Sequence, residues 1–340
     1  MKHSVLITGG AGYIGSHTAI ALHEAGYRPV IFDNFSRADH RVLDGLARIM
    51  AERPVCYEGD CRDATALNRV MRLESVAGVI HFAAYKAVGE SMRDPLRYYH
   101  NNVGAMLQLL ESMQTCGVRK LIFSSSCTVY GIPDELPVSE SSPTRPPNSV
   151  YGATKQICEN ILFDMARAGT PLRSILLRYF NPIGAHESGL IGEWPVGEPD
   201  NLVPYITQVA AGLRPQLQVF GADYDTPDGS CIRDFIHVMD LAEAHVSALD
   251  RLLKGEQTPL CSYNIGVGQG ASVLELIALF EEISGRSLPY RIAPRRHGDV
   301  PAVYADVALA ERELGWKARR TIRQALEDAW RWQLNLAGSQ

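Results

Sequence analysis

The sequence predicts an α/β fold in which a doubly wound parallel sheet is joined to a second, smaller mixed α/β domain. Three observations support this prediction. Short apolar runs alternate with longer helical patterns in the first half, a glycine-rich turn follows the first apolar run, and the alternation ends near residue 178. Strands and helices that alternate at this spacing form βαβ units, whose parallel sheet is covered by helices on both faces.

The predicted strands of the first half are continuous apolar runs, as expected for strands that are buried on both faces. They cover residues 5–8, 29–33, 55–58, 79–82, 121–124 and 174–178. The stretches of helical periodicity between them cover residues 16–25, 41–50, 64–73, 95–115 and 151–168. We therefore expect the first domain to span residues 1–181, with returns of the chain near 235–265.

After residue 178 the pattern becomes irregular. Residues 181–204 are predicted to be a loop because prolines and glycines interrupt them. Helices are predicted over 204–211, 238–253, 273–284 and 321–336, and strands over 217–220 and 262–265. These elements are expected to form the second domain, which lies mainly within residues 182–340.

The composition excludes several classes of protein. The 340 residues suffice for about two domains. A formal charge of −5, from 33 basic and 38 acidic residues, argues against a nucleic-acid binder. Seven scattered cysteines without a C-x-x-C pair favour neither disulfides nor a metal site, and indicate a reducing compartment. Since no signal peptide and no apolar stretch of about 18 residues is found, we expect a cytoplasmic protein without a membrane span.

The first predicted strand leads directly into a glycine-rich turn that opens a helix, Thr8-Gly9-Gly10-Ala11-Gly12-Tyr13-Ile14-Gly15. Glycines suit this place because a pyrophosphate must approach bare backbone at the helix N-terminus. Asp33 ends the second strand, where an acid accepts hydrogen bonds from the adenosine ribose and repels a 2′-phosphate. The pattern predicts a Rossmann-type site for NAD rather than NADP, although Arg37 could pair with a phosphate instead. Asp60, after the third strand, is placed to meet the adenine edge or to serve only as a turn residue.

A second motif places Tyr151 and Lys155 four residues apart at a predicted helix start, so that both side chains share one face. A nearby ammonium and the positive nicotinamide favour the phenolate. Lowering the pKa of Tyr151 by about 3 units from its usual value near 10 would make this side chain a general base near pH 7. Ser126, at the end of a strand, would hydrogen-bond the reacting hydroxyl.

Further segments carry a family resemblance. They are Asn101-Asn102-Val103, Ser124-Ser125-Ser126, Arg178-Tyr179-Phe180-Asn181-Pro182, and residues 82–91, 201–206 and 233–240. With the two motifs above, the sequence resembles the extended short-chain dehydrogenase/reductase family over residues 3–334, and within it the enzymes that invert UDP-sugars at C4. This resemblance implies an NAD-dependent interconversion of UDP-glucose and UDP-galactose through a transient 4-keto intermediate.

The resemblance also implies roles for individual residues and no metal. The catalytic residues would be Tyr151, Lys155 and Ser126. NAD would be contacted by Gly9, Gly12, Tyr13, Ile14, Gly15, Asp33, Asn34, Asp60, Cys61, Phe82, Ala83, Lys86, Asn101, Ser124, Tyr151, Lys155 and Phe180. The UDP-sugar would be contacted by Ser126, Tyr151, Asn181, Asn201, Leu202, Gln218, Val219, Phe220, Arg233, Arg296, Asp299 and Val303. Among these, Arg233 and Arg296 would hold the pyrophosphate, because guanidinium groups match phosphate oxygens.

Two positions depart from the family pattern. Arg37-Ala38 stands where many members carry a small polar Asn-Ser pair, which leaves the contacts of the cofactor phosphates open. Val303 stands where epimerases restricted to unacetylated sugars resemble one another in a tyrosine, whereas those that accept N-acetylated sugars have a smaller residue. We therefore hypothesise that the UDP-GlcNAc and UDP-GalNAc pair is interconverted as well.

Other members of the same family remain alternatives. A sugar-nucleotide dehydratase needs an Asp-Glu pair after the serine strand, where this chain has Cys127-Thr128. An NADP reductase would favour a basic residue in place of Asp33, and a non-catalytic dinucleotide sensor would lack the tyrosine or the lysine. Because related proteins pair through helices that match 95–115 and 151–168, we also expect a homodimer.

Overall fold

Seven parallel strands form the central sheet in a computed structural model that describes residues 2–296 and 299–338. The strands are β1 (Ser4–Thr8), β2 (Arg28–Asp33), β3 (Val55–Glu58), β4 (Val76–His81), β5 (Lys120–Ser126), β6 (Arg173–Tyr179), β7 (Asn181–Ile183), β8 (Leu217–Phe220), β9 (Ile232–Arg233), β10 (Phe235–His237), β11 (Leu260–Ile265), β12 (Ala271–Ser272), β13 (Tyr290–Ala293) and β14 (Ala302–Val303). The helices are α1 (Tyr13–Glu24), α2 (Val42–Met50), α3 (Ala64–Leu73), α4 (Val88–Arg93), α5 (Pro95–Tyr98), α6 (Gly104–Cys116), α7 (Val150–Arg167), α8 (Leu202–Ala210), α9 (Val238–Leu253), α10 (Val273–Ser284), α11 (Ala308–Leu314) and α12 (Ile322–Gly338).

The strand order of the central sheet is β11-β6-β5-β4-β1-β2-β3, with parallel pairing throughout. The order reverses between β1 and β4, so the chain leaves these two neighbours in opposite directions. At such a point the carboxyl ends of the strands open a crevice in which ligands bind. The Rossmann-type doubly wound fold predicted from the sequence is confirmed.

Alternate side chains of β1 enter two different hydrophobic layers. Val5 and Ile7 pack in the layer that contains Ala19 of α1 and Leu249 of α9. Leu6 packs in the opposite layer, which is built largely from α3 and α6. Because successive strand side chains point to opposite faces, a continuous apolar run fills both layers at once.

The second half of the chain adds three small sheets and a helical core. The sheets pair β7 with β10, β8 with β13, and β9 with both β12 and β14. Helices α8, α10 and α12 share an apolar core around Phe280 and Leu326. By contrast, β11 returns to the central sheet beside β6, and α9 packs against α1.

Five predicted elements coincide with observed ones, namely β3, α3, β8, α9 and α10. The helix predicted over 95–115 forms, but a regular α-helix throughout is wrong, because a π-helical turn over Tyr99–Val103 joins α5 to α6 without a break. Asn102 lies in this turn, where its side-chain oxygen accepts from the Tyr85 backbone (2.8 Å) and its amide donates to the Thr154 hydroxyl (3.0 Å). Such π-turns often occur at functional sites. The loop predicted over 181–204 is also wrong at its start, since β7 forms there by pairing with the distant β10.

All seven cysteines carry free thiols. Across residues 2–296 and 299–338, no helix combines the length and the apolar character needed to span a membrane. His237 is buried in β10, where its Nδ1 accepts from the Met239 backbone N–H (3.0 Å).

Three buried histidines are expected to make the fold sensitive to acid. Burial lowers the pKa of His17 and His81 to about 3 and that of His245 to about 4. The unfolded chain binds these protons near pH 6.5, so the free energy of unfolding should fall as the pH drops below that value. At about pH 5 each histidine should lower the free energy of unfolding by about 2 kcal/mol relative to neutral pH. Urea unfolding at about pH 7 and about pH 5 would measure this difference.

A matched pair of variants isolates this effect. His245→Asn should reduce the difference between the free energies of unfolding at the two pH values. His100→Asn should leave that difference unchanged, because the His100 side chain is exposed. Equal pH dependence in the wild type and the His245 variant would contradict the prediction.

Candidate active site

The glycine-rich turn after β1 forms a tight cradle of backbone. Gly9 has a φ of 72°, and a Cβ atom there would lie 2.7 Å from the backbone nitrogen of Ala83. A Cβ atom on Gly15 would collide with the carbonyl oxygen of Gly9. These close approaches hold the turn against the N-terminus of α1, where backbone N–H groups favour a pyrophosphate.

A cavity of about 430 Å³ opens at the carboxyl ends of the central strands beside this cradle. Every residue predicted to contact NAD lines it: Gly9, Gly12, Tyr13, Ile14, Gly15, Asp33, Asn34, Asp60, Cys61, Phe82, Ala83, Lys86, Asn101, Ser124, Tyr151, Lys155 and Phe180. Of the predicted substrate residues, the same cavity brings together Ser126, Tyr151, Asn181 and Asn201. Its size and its backbone cradle fit a bound dinucleotide.

Asp33 ends β2 beside the cradle. Its carboxylate accepts hydrogen bonds from the backbone N–H groups of Ala11 (3.0 Å) and Phe35 (2.9 Å). Burial raises the pKa of Asp33 above its usual value, and these backbone donors oppose the increase. Asn34 donates to Asp60 (3.2 Å), so the predicted adenosine contacts lie side by side. Their hydrogen bonds to the nucleotide stay predictions.

Tyr151 and Lys155 lie in the first turns of α7, which begins at a Ser149 cap whose hydroxyl accepts from the Gly152 N–H (3.1 Å). The Lys155 ammonium donates to the Ser124 carbonyl oxygen at 2.6 Å and lies 5.9 Å from the centre of the Tyr151 ring. Ser126 lies close enough to the Tyr151 phenol to affect its pKa, and it lines the same cavity. The three predicted catalytic residues therefore meet on one wall of the cavity.

Without the positive nicotinamide, the chain's own residues do not lower the pKa of Tyr151. Burial raises this pKa to about 12, and Ser126 only partly opposes the increase. Burial also lowers the pKa of Lys155 to about 8. Desolvation disfavours the charged form of both groups, and the sequence motif contains no measure of burial.

A buried ion pair supports this wall from behind. Arg178 of β6 donates to both oxygens of Glu159 of α7, at 2.9 and 2.7 Å, and the Arg178 and Glu159 side chains are 5% and 3% exposed. The Ser125 hydroxyl also donates to Glu159 (2.6 Å). Because Ser125 lies between Ser124 and Ser126, the network connects α7 to the strand that carries the predicted catalytic serine, Ser126.

Three residues predicted to hold the nucleotide form a separate cluster. Asp299 accepts from Arg296 (2.9 Å) and forms an ion pair with Arg233 (3.6 Å). The Arg296 guanidinium lies 4.8 Å from the ring centre of Phe220 at the end of β8. This cluster presents two cations and a flat ring, which suits a nucleoside diphosphate, and its contacts with the substrate stay predictions.

The other predicted substrate residues lie in elements around that cluster. Gln218 and Val219 lie in β8, and the Val219 side chain is buried. Leu202 begins α8 and packs on the helical core of the second half. Val303 of β14 is buried in a hydrophobic cluster with Phe180, which lines the large cavity. Val303 therefore shares a hydrophobic cluster with a residue that lines the cavity, and Val303 itself is not among the lining residues.

The sequence reasoning missed Glu193. Its carboxylate oxygen accepts from Lys86 (2.9 Å) and from the side-chain amide of Asn201 (2.6 Å), and its backbone carbonyl accepts from Trp332 (3.0 Å). Glu193 thus connects a predicted cofactor residue to a predicted substrate residue. It lies in the region predicted as a loop, and the sequence alone carried no signal that could have identified it.

A cavity that joins a glycine cradle to a tyrosine–lysine pair defines a dinucleotide-dependent enzyme that acts on a ligand held beside its cofactor. The model of the NAD dependent epimerase/dehydratase family matches residues 5–266, and the chain belongs to this family. The family resemblance drawn from the motifs and the predicted cofactor, NAD, are confirmed.

Known relatives match almost the whole chain. A UDP-glucose 4-epimerase of Bacillus subtilis is 49% identical over 330 residues, covering 97% of this chain and 96% of the relative. The crystal structure of a UDP-glucose 4-epimerase from Stenotrophomonas maltophila, with bound NAD and formylated UDP-arabinopyranose, has a TM-score of 0.96 at 48% identity. It covers 99% of this chain and 100% of its own. A UDP-glucose 4-epimerase from Bifidobacterium longum in complex with NAD+ and UDP has a TM-score of 0.95 at 46% identity, covering 99% of this chain and 100% of its own.

Proposed function

We propose that the protein interconverts UDP-glucose and UDP-galactose, as an NAD-dependent isomerase that inverts C4 of the sugar. One observation carries the proposal: Tyr151, Lys155 and Ser126 line the same cavity as the glycine cradle and Asp33. This arrangement supports a role for Tyr151 as the general base for a sugar hydroxyl beside the dinucleotide. The high identity to UDP-glucose 4-epimerases over nearly the whole chain supports this choice of substrate.

The chain's residues manage the protons of this reaction. Ser126 orients the sugar 4-hydroxyl, and Tyr151 removes its proton, then returns it after the 4-keto sugar has turned over in the pocket. When bound, NAD would supply the redox chemistry, as acceptor and donor of the C4 hydride. Lys155, fixed on the Ser124 carbonyl, holds positive charge near the phenol at neutral pH.

The nucleotide half of the substrate is assigned to the second part of the chain. Arg233 and Arg296 would bind the pyrophosphate, and Asp299 the uridine ribose. Asn181 and Asn201 would contact the sugar and phosphates in the large cavity. Firm binding of the nucleotide leaves the keto sugar free to turn over, which inversion requires.

Conversion of UDP-galactose tests the proposal directly. Purified protein incubated with UDP-galactose should form UDP-glucose without added NAD, because the cofactor is regenerated in each turnover. Absence of product even with NAD supplied would contradict the proposed function.

We further propose that UDP-N-acetylglucosamine is epimerised, because valine at position 303 leaves more room than tyrosine. Val303→Tyr should lower turnover of the acetylated sugar by about tenfold or more, while UDP-galactose turnover stays within about twofold, since steric exclusion discriminates at this scale. Turnover of both sugars by the wild type and the variant would be compared. A wild type that converts UDP-galactose and neither acetylated sugar would contradict this prediction.

A division of labour between the two parts of the chain is also proposed. Residues 1–181, with the return through α9 and β11, would bind NAD, and residues 182–340 would mainly bind the UDP-sugar. Limited proteolysis with and without each ligand would test it, because NAD should protect the first part and UDP the second.

We propose a cytoplasmic homodimer. Leu96 of α5 and Leu107 of α6 are 70% and 47% exposed, on helices that would form the dimer contact. Light scattering coupled to gel filtration should give twice the mass of the chain, and Leu107→Glu should shift the protein toward monomer. Fractionation of the native cells would test the location.

A further inference from the structure

Arg37 connects two segments on opposite sides of the glycine turn. It lies in the loop after β2, whereas its partner Glu90 lies in α4, which follows β4. In the central sheet, β2 and β4 are the two neighbours of β1, whose carboxyl end carries the glycine turn. A contact between Arg37 and Glu90 therefore spans the crevice above that turn.

The contact is charge-assisted and well supported. The Nη2 atom of Arg37 donates to both carboxylate oxygens of Glu90, at 2.6 and 2.7 Å. The Tyr98 hydroxyl donates to the same carboxylate (2.9 Å), and Arg97 donates from the α5 side (3.1 Å). Burial acts to raise the pKa of Glu90, but the hydrogen bonds from Arg37 and Tyr98 prevail and keep it below its usual value. Glu90 is thus an anion that several donors hold in place.

The bridge is part of the wall of the cofactor cavity. Arg37, Tyr85 and Glu90 line that cavity together with the glycine cradle and Asp33. The Arg37 guanidinium lies 5.0 Å from the ring centre of Tyr85, which adds a cation–π contact on the crevice side. Arg37 is also the position at which this chain departs from the small polar pair of its family.

We propose that Arg37 and Glu90 retain bound NAD by closing the crevice over the glycine turn. This inference rests on the NAD site of the proposed function. A dinucleotide seated between the turn and the bridge leaves only when the two loops separate, so breaking the bridge accelerates release. Arg37 acts here as a cofactor-retaining residue, and the proton transfers at Tyr151 do not involve it.

The chain contains a matched control. Arg97 also donates to Glu90 and also lies over the Tyr85 ring, at 4.8 Å from its centre. Arg97 belongs to α5, on the same side of the crevice as Glu90, so its contacts do not span the glycine turn. Arg97→Ala therefore removes an equivalent cation from the same carboxylate and leaves the bridge intact.

Release of NAD from the purified holoenzyme tests the inference. Protein loaded with radiolabelled NAD is mixed with excess unlabelled NAD, and the label that remains bound is followed over time. Arg37→Ala and Glu90→Gln should each release NAD about tenfold faster than the wild type, as loss of one charge-assisted hydrogen bond predicts. The double variant should be no faster than either single variant, because both changes remove the same contact. Arg97→Ala should stay within about twofold of the wild type.

Distinct outcomes would overturn the inference. Release from Arg37→Ala at the wild-type rate, or equal acceleration by Arg97→Ala, would show that the bridge does not retain NAD. The Arg37 side chain is 42% exposed, so its truncation should leave the fold intact, and a thermal melt of the variant checks this. A wild type that binds no NAD at all would instead contradict the proposed function, and with it the role of the Arg37–Glu90 bridge in retaining NAD.

Discussion

Replacing Tyr151 by phenylalanine should lower turnover of UDP-galactose by about 10²- to 10⁴-fold, the usual contribution of a general base. The change removes one oxygen atom from a buried side chain and leaves the ring in place. NAD should remain bound, because the glycine cradle, Asp33 and Lys86 are unchanged. Steady-state turnover and the NAD content of the same preparation would be measured together.

Tyr205→Phe is a suitable control for this variant. Tyr205 lies on α8, outside the proposed catalytic residues, and its hydroxyl donates to Glu198 (3.2 Å). Turnover of the variant should therefore stay near that of the wild type. If Tyr151→Phe kept a tenth or more of wild-type turnover, Tyr151 would not be the base.

Replacing Glu159 by alanine should destabilise the protein by about 3–5 kcal/mol, because it leaves the buried Arg178 guanidinium without its counter-charge. The Ser125 hydroxyl would lose its acceptor at the same time. Since this network lies behind the catalytic wall, a loss of activity is expected to accompany the loss of stability. Urea unfolding at neutral pH measures the change in the free energy of unfolding.

The same helix offers a control for the ion pair. Asp164 of α7 pairs with Arg167 at 3.2 Å, but these side chains are 73% and 79% exposed. Asp164→Ala should change the free energy of unfolding by about 0.5 kcal/mol or less, since exposed pairs contribute little. Similar effects of the two substitutions would show that burial of the Glu159–Arg178 pair does not matter.

The sequence identified the parts of the molecule that depend on local pattern. Apolar runs alternating with helical periodicity predicted the parallel sheet, because strands buried on both faces must be apolar throughout. The glycine turn, Asp33 and the Tyr151–Lys155 pair could be placed at the site, because each sits at a strand end or a helix start. Short strands such as β7 were missed, since they exist only through pairing with distant partners.

Side-chain partners that are far apart in the chain were also missed. Glu193 carries no signal in the sequence and Glu90 appears there only as part of the segment 82–91, so only the fold brings them to Lys86 and Arg37. The motif around Tyr151 predicted its neighbours but not the effect of burial, which raises the pKa of the phenol, because desolvation depends on everything packed around it.

The sequence by itself thus determined the fold class, the dinucleotide turn and the candidate catalytic residues, since each is written in consecutive residues or at helical spacing. Only the tertiary structure decided which charges meet across the crevice, how deeply the phenol and the ammonium are buried, and where Arg37 finds its partner. Those properties arise from contacts between segments that the sheet order places side by side. No local pattern in the chain encodes them.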